Sequence, residues 1–252
     1  MTHSRRVFGF CFAIYAILVM ITFAGLVTPL ILPAALLPRG RRERFGMFGA
    51  RIFAWLILRA LLLLRVHVDG LQLLPTRSGY LVVANHRSWV DIPLLLLYTW
   101  SNGISKKEVR YVPFFALNGG LSGALFFDRN SAEDRRRVVR DAMCLLRAGA
   151  NLHVFPEGSR TRSGRLAERV HLRLVEAAWA AGIEVVPACV YRTDRVVPAG
   201  RIYAWPGATV GITLGPVARP ADFADPAAFA AAVWGRVGEM AARLGADEER
   251  SV

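Results

Sequence analysis

Cysteine is scarce in this chain: Cys11, Cys144 and Cys189 stand far apart, with no C-x-x-C pair. That excludes a disulfide framework and a cysteine-built zinc site, which need closer or more numerous partners. Three buried free thiols in a reducing compartment are the expectation. No G-x-S-x-G occurs, and Ser88 lies between His86 and Asp91 rather than on an elbow of its own, so a serine hydrolase fits poorly. There is no internal repeat and no low-complexity linker. Acidic residues are few, 19 against 32 Lys and Arg, leaving a net charge of +13. Such basicity suits either nucleic acid or an anionic membrane surface.

Apolar residues are abundant instead, at 54% with a mean hydropathy of +0.35, which implies a membrane-embedded part. The 252 residues hold one ordinary domain plus an appendage. Residues 7–37 are almost continuously apolar, longer than the ~20 needed to span a bilayer and too long for a signal peptide. Pro29 and Pro33 should bend or end this helix. The basic turn at 39–44 that follows belongs in the cytoplasm if the first segment crosses. Residues 45–64 are apolar but carry Arg51 and Arg59, too costly at mid-bilayer for a second crossing. An interfacial helix or half of a re-entrant hairpin is expected, with Arg44 and Arg51 on one helical face and Arg59 less than a quarter-turn away.

From residue 66 onward, short apolar strands alternate with helices. Strands are expected at 66–68, 81–84, 124–127, 151–155, 184–191 and 208–214. Helices are expected at 92–100, 131–147 (capped by Ser131), 169–181 (stopped by Gly182) and 227–244. The result is an α/β fold: a mixed, partly parallel sheet flanked by helices, behind an N-terminal membrane-associated helical hairpin. Residues 1–65 would be the anchor and 66–252 the catalytic domain. The arginine run at 135–140 reads as a solvated or membrane-facing surface.

The chemistry concentrates where the strand at 81–84 runs into Asn85-His-Arg-Ser-Trp-Val-Asp91. A five-residue step would separate His86 and Asp91 widely on one helix, whereas a strand-to-helix turn can fold the carboxylate onto the imidazole. A carboxylate on one ring nitrogen fixes the tautomer and leaves the other nitrogen as a base. Alone, the pair is a weak signal, and a helix-capping Asp91 beside a turn histidine explains it as well.

Four blocks in order make the signal specific. Asn85-His-Arg-Ser-Trp-Val-Asp91, Phe126-Phe-Asp-Arg129, Phe155-Pro-Glu-Gly-Ser-Arg160 and Val185-Val-Pro187 resemble the four motifs of the 1-acylglycerol-3-phosphate acyltransferase (lysophosphatidic acid acyltransferase) family. Ser105-Lys-Lys-Glu-Val109 with Pro113-Phe-Phe resembles the lysine segment between the first two. The chain departs from the family at residues 166–171, which puts the acceptor or acyl pocket in question.

The resemblance implies His86 as general base and Asp91 as its orienter. It implies acceptor binding by Glu157, Gly158 and Arg129, and phosphate binding by Arg160 with Lys106 or Lys107. It implies acyl transfer from acyl-CoA or acyl carrier protein to the sn-2 hydroxyl of lysophosphatidic acid, with no cofactor, metal or covalent enzyme intermediate. The enzyme would sit on the cytoplasmic face of the inner membrane, with membrane lipids and no nucleic acid as partners. Another lysolipid, such as lyso-ornithine lipid, is the alternative acceptor. A non-catalytic basic lipid-binding module would explain the charge but not the ordered motif residues.

Overall fold

The computed structural model describes residues 3–111, 119–161, 165–201 and 203–250. Two helices open the chain, α1 (His3–Ile31) and α2 (Arg39–Trp55), joined through a 3₁₀ turn at Leu32–Leu36. The strands of the sheet are β1 (Arg65–Asp69), β2 (Leu81–Ala84), β3 (Ser101–Lys106), β4 (Leu125–Phe127), β5 (Asn151–Val154), β6 (Val185–Tyr191) and β7 (Thr209–Leu214). Their order is β1-β7-β6-β2-β5-β3-β4, and only the β6–β7 pair is antiparallel. The expected mixed, largely parallel sheet is the observed one.

β2 is the centre of this sheet, and its Leu-Val-Val-Ala run is wholly buried. A strand covered on both faces has no reason to alternate apolar with polar residues. Leu81 and Val83 meet α4 (Ala132–Arg147), α5 (Arg173–Ala180) and α6 (Pro226–Arg250) through Ala142, Leu146, Val175 and Phe229. Val82 and Ala84 face the opposite layer, where α3 (Asp91–Thr99) contributes Leu95. Ser131 caps α4 as expected, its hydroxyl accepting from the Asp134 amide at 3.1 Å.

Three elements depart from expectation. β3 is unforeseen because Ser-Asn-Gly-Ile-Ser-Lys offers one strongly apolar residue; pairing with β5 and β4 makes it a strand. α5 begins at Arg173 rather than 169, because the preceding segment returns to the third motif, where the His171 amide donates to the Pro156 carbonyl at 2.8 Å. Of the free cysteines only Cys189 is buried; Cys11 on α1 and Cys144 on α4 are exposed, on helix faces that no neighbour covers. The Pro113-Phe-Phe stretch lies outside the described residues.

α1 holds the segment long and apolar enough to cross a membrane, Arg6–Phe23, with a mean hydropathy of 2.1. Phe23 stacks on Phe53 of α2 at 5.6 Å, closing the hairpin. α2 lies against the sheet-bearing part of the chain. Gly46 sits so close to the Leu121 backbone that a Cβ there would be 2.6 Å from the carbonyl carbon. Beyond α2, Leu58 and Leu62 pack with Val90, Leu94 and Val210.

Arg51 and Arg59 are both held by groups of the protein itself. Arg51 Nε and Nη2 both donate to the Leu97 carbonyl, at 3.1 and 2.8 Å, and its guanidinium lies 3.1 Å over the Trp100 ring. Arg59 donates to the Leu64 carbonyl at 3.1 Å and the Tyr98 hydroxyl at 3.3 Å. The last carbonyls of α3 lack intrahelical partners and carry the negative end of its dipole, which attracts a cation from α2. Arg51→Met keeps the stem but removes the donors, at a cost of roughly 1–3 kcal/mol. Thermal unfolding of the detergent-solubilised chain should show a midpoint lowered by about 2–10 °C; an unchanged midpoint would mean that this clasp contributes nothing.

Candidate active site

Strands β2, β5, β3 and β4 are adjacent and parallel, so their carboxyl ends share one edge of the sheet. The segments leaving those ends carry His86 (after β2), Glu157, Gly158 and Arg160 (after β5), Lys106 (ending β3) and Arg129 (after β4). Parallel sheets place ligands beyond that edge. A cleft of about 370 Å³ opens there, lined by His86, Trp89, Lys106, Arg129, Gly158 and Arg160 among others. Asp91 and Glu157 are buried and do not line it.

His86 Nδ1 lies 2.8 Å from Asp91 Oδ2. The same oxygen accepts the backbone N–H groups of Arg87 at 2.6 Å and Ser88 at 2.7 Å. Those amides can only donate, so Oδ2 is an acceptor and His86 Nδ1 carries the proton. The neutral imidazole then presents Nε2 as a lone pair. Asp91 is the first residue of α3 but does not cap it; its carboxylate reaches back into the turn.

The imidazole is held on its other sides as well. Its ring stacks on Phe155 with centroids 4.0 Å apart and planes 13° from parallel, and His153 meets Phe155 edge-on at 5.5 Å. His153 is fully buried, and burial pushes its pKa down to about 3, so it stays neutral packing. The Thr161 amide donates to the His86 carbonyl at 3.0 Å, tying the third motif to the first. The Asn85 side-chain amide donates to the Val190 carbonyl at 3.0 Å and accepts the Val190 N–H at 2.8 Å, which fastens the residue after β2 to β6. The short fourth motif acts here as wall: Val186 and Pro187 are in register with Val82 and Val83.

Glu157 is 7% exposed and neither carboxyl oxygen has an aligned hydrogen-bond partner among the described residues. Burial raises its pKa to about 7; the His86 amide opposes the shift without forming an aligned bond, and Asp91 adds to it. Gly158 follows at φ +68°, a left-handed turn that a side chain would strain.

The cations divide. Lys106, Arg129 and Arg160 line the cleft, whereas Lys107 does not and is bound by Asp128 Oδ2 at 2.5 Å. Arg160 lies 4.9 Å over the Trp89 ring. Desolvation lowers the pKa of both Arg129 and Arg160, with Glu108 and Asp91 respectively pulling the other way.

A second cavity of about 500 Å³ adjoins the cleft and shares Trp89, Ile92, Ser105 and Val109 with it. Its lining is mostly apolar, from Ala13, Ala16 and Met20 of α1, Ala50, Phe53 and Ala54 of α2, and Pro93 and Leu96 of α3. Sequence reasoning missed it. The only legible trace is the small-residue spacing of Ala13 with Ala16 and Ala50 with Ala54, which lets helices leave room between them.

The family model described as Acyltransferase matches residues 65–191, about half of the chain. The lyso-ornithine lipid O-acyltransferase of Pseudomonas aeruginosa is 39% identical over 152 residues, covering 59% of this chain and 57% of that one. A chloroplastic 1-acyl-sn-glycerol-3-phosphate acyltransferase of Arabidopsis thaliana is 29% identical over 170 residues, covering 67% and 47% respectively. The chain therefore matches about half the length of these curated relatives. The crystal structure of the 1-acyl-sn-glycerophosphate acyltransferase PlsC of Thermotoga maritima superimposes with a TM-score of 0.83 at 23% identity, over 96% of this chain and 98% of that one. It shows the same fold.

The Glu157 environment gives a pH prediction. Between about 4.5 and about 7 the folded chain keeps the Glu157 proton and the unfolded chain loses it, so this group's contribution to stability falls as pH rises through that window. Glu157→Gln should abolish the fall. Denaturant unfolding at pH 4, below that window, should not separate the variant from wild type through this term. At pH 8 the variant should be more stable by up to about 3 kcal/mol; equal pH slopes would refute the assignment.

Proposed function

Because the chain belongs to the acyltransferase family, we propose that it moves a fatty acyl group from a thioester to the hydroxyl of a membrane-borne lysolipid. One observation carries this reading: His86, its tautomer fixed by buried Asp91, faces a cationic cleft that opens into an apolar cavity. The thioester is already activated, so no enzyme nucleophile is needed. His86 Nε2 takes the proton of the attacking hydroxyl as its oxygen bonds to the acyl carbon. The tetrahedral adduct then breaks its carbon–sulfur bond, and the leaving thiolate takes the proton back from the imidazolium. Asp91 holds the ring and offsets its transient charge.

The acceptor we favour is lysophosphatidic acid, acylated at the sn-2 hydroxyl to give phosphatidic acid. Lys106, Arg129 and Arg160 supply the charge a phosphomonoester requires, and Glu157 with Gly158 shapes the turn beside it. The apolar cavity suits an acyl chain. The donor is acyl-CoA or acyl carrier protein. Lyso-ornithine lipid is the second reading, favoured by the 39% identical relative. Against it, no carboxylate among the described residues lines the cleft to receive the amine of an ornithine headgroup.

Residues 1–65 would anchor the catalytic unit, residues 66–252, at the cytoplasmic face of the membrane. The outward row Phe8, Ile14, Leu18 and Ile21 on α1, with Phe48, Ile52 and Trp55 on α2, is exposed and apolar and supports contact with a membrane.

Coenzyme A thiol release by membranes carrying the chain, with acyl-CoA and a panel of lysolipids, tests the reading. Release should require lysophosphatidic acid, and His86→Ala should lower it about 10³-fold. Arg160→Ala should raise KM for lysophosphatidic acid about tenfold, with a smaller change in kcat. Release only with lyso-ornithine lipid would select the second reading. No release with acyl-CoA or acyl carrier protein would leave a lipid-binding module.

A further inference from the structure

The turn that carries the base and its orienter also carries a tryptophan for which the acyl-transfer chemistry has no use. Ser88, Val90 and Asp91 are at most 2% exposed, while Trp89 among them is 41% exposed. An indole left this open forgoes burial that would favour folding. The backbone beneath it is fixed. Ser88 Oγ donates to the Val197 carbonyl at 2.9 Å and accepts the Val90 amide at 3.3 Å, and Val90 packs with Leu58, Leu62 and Leu94.

From that fixed origin the indole lines both the cationic cleft and the apolar cavity. Arg160 lies over its face, and among the described residues no hydrogen bond or ion pair holds the guanidinium, which feels the Asp91 charge only through space. A guanidinium seated on an aromatic face keeps its in-plane N–H donors free for an anion. A salt bridge would have held Arg160 equally still but would have consumed those donors.

We propose that Trp89 is a positioning residue: it holds Arg160 at the cleft with its donors open to a phosphomonoester, and stands where the headgroup cleft meets the apolar cavity. This rests on reading the cleft as the acceptor's phosphate site. Trp89 acts on binding through Arg160, not on the proton transfer.

The test uses dodecyl phosphate, a single-chain phosphomonoester with no hydroxyl to acylate, titrated calorimetrically into the detergent-solubilised full chain. Trp89→Leu should weaken binding about tenfold, and Trp89→Phe, which keeps an aromatic face, by no more than about threefold. The double variant Trp89→Leu/Arg160→Ala should bind no more weakly than Arg160→Ala alone, because the two residues act as one unit. In turnover, Trp89→Leu should raise KM for lysophosphatidic acid while kcat stays within about threefold.

Unchanged binding by Trp89→Leu, additive losses in the double variant, or no binding of dodecyl phosphate by wild type would each overturn the proposal. So would a Trp89→Leu variant that loses kcat and thermal stability together, the signature of a merely structural role. Wild type that binds dodecyl phosphate in the expected pattern yet releases no thiol would sink the acyltransferase reading and leave the role of Trp89 standing.

Discussion

Asp91 has no exposure to solvent, and one of its oxygens takes the imidazole of His86 and the amides of Arg87 and Ser88. A carboxylate so placed is tolerable only while its donors stay aligned; stranding a buried charge costs several kcal/mol. The turn between β2 and α3 is therefore fixed by its own chemistry, and the surroundings extend that fixity. Asn85 binds the turn to β6, Thr161 binds it to the third motif, Ser88 binds it to Val197, and Phe155 lies flat beneath the imidazole. Loosening any of these would let the imidazole drift, and in the proposed transfer its position would set the rate.

The same turn connects two chemically opposite spaces. Cations and polar groups line the cleft, while the neighbouring cavity is mostly apolar. Trp89, Ile92, Ser105 and Val109 line both, so in the proposed transfer a headgroup and an acyl chain would meet beside this turn. The helical hairpin is part of that arrangement, because α1 and α2 supply much of the apolar wall. Arg51 grips the far end of α3, the helix whose first residue is Asp91, so the helical hairpin and the His86–Asp91 turn share one element.

Expectation and observation agree best where local chemistry decides. The apolar run at 81–84 becomes the central strand, Ser131 caps its helix, and His86 meets Asp91 across a strand-to-helix turn. They part where a neighbour decides. Ser-Asn-Gly-Ile-Ser-Lys has no strand pattern of its own and becomes β3 because β4 and β5 flank it. From its own segment Arg51 is legible only as a charge that resists a second crossing, and it clasps the Leu97 carbonyl near the end of α3, a partner that no reading of α2 alone could supply.

By itself the sequence determined the residue types and order that acid–base chemistry requires, the α/β alternation, and an apolar start with a basic turn behind it. These are properties of short windows, where periodicity, capping and a five-residue loop act directly. The tertiary structure alone decided which of two adjacent lysines faces the cleft, that burial raises the pKa of Glu157 to about 7, and that an apolar cavity adjoins the cleft. Each of those depends on side chains brought together from distant strands by parallel pairing, and desolvation and ion pairing act through space rather than along the chain.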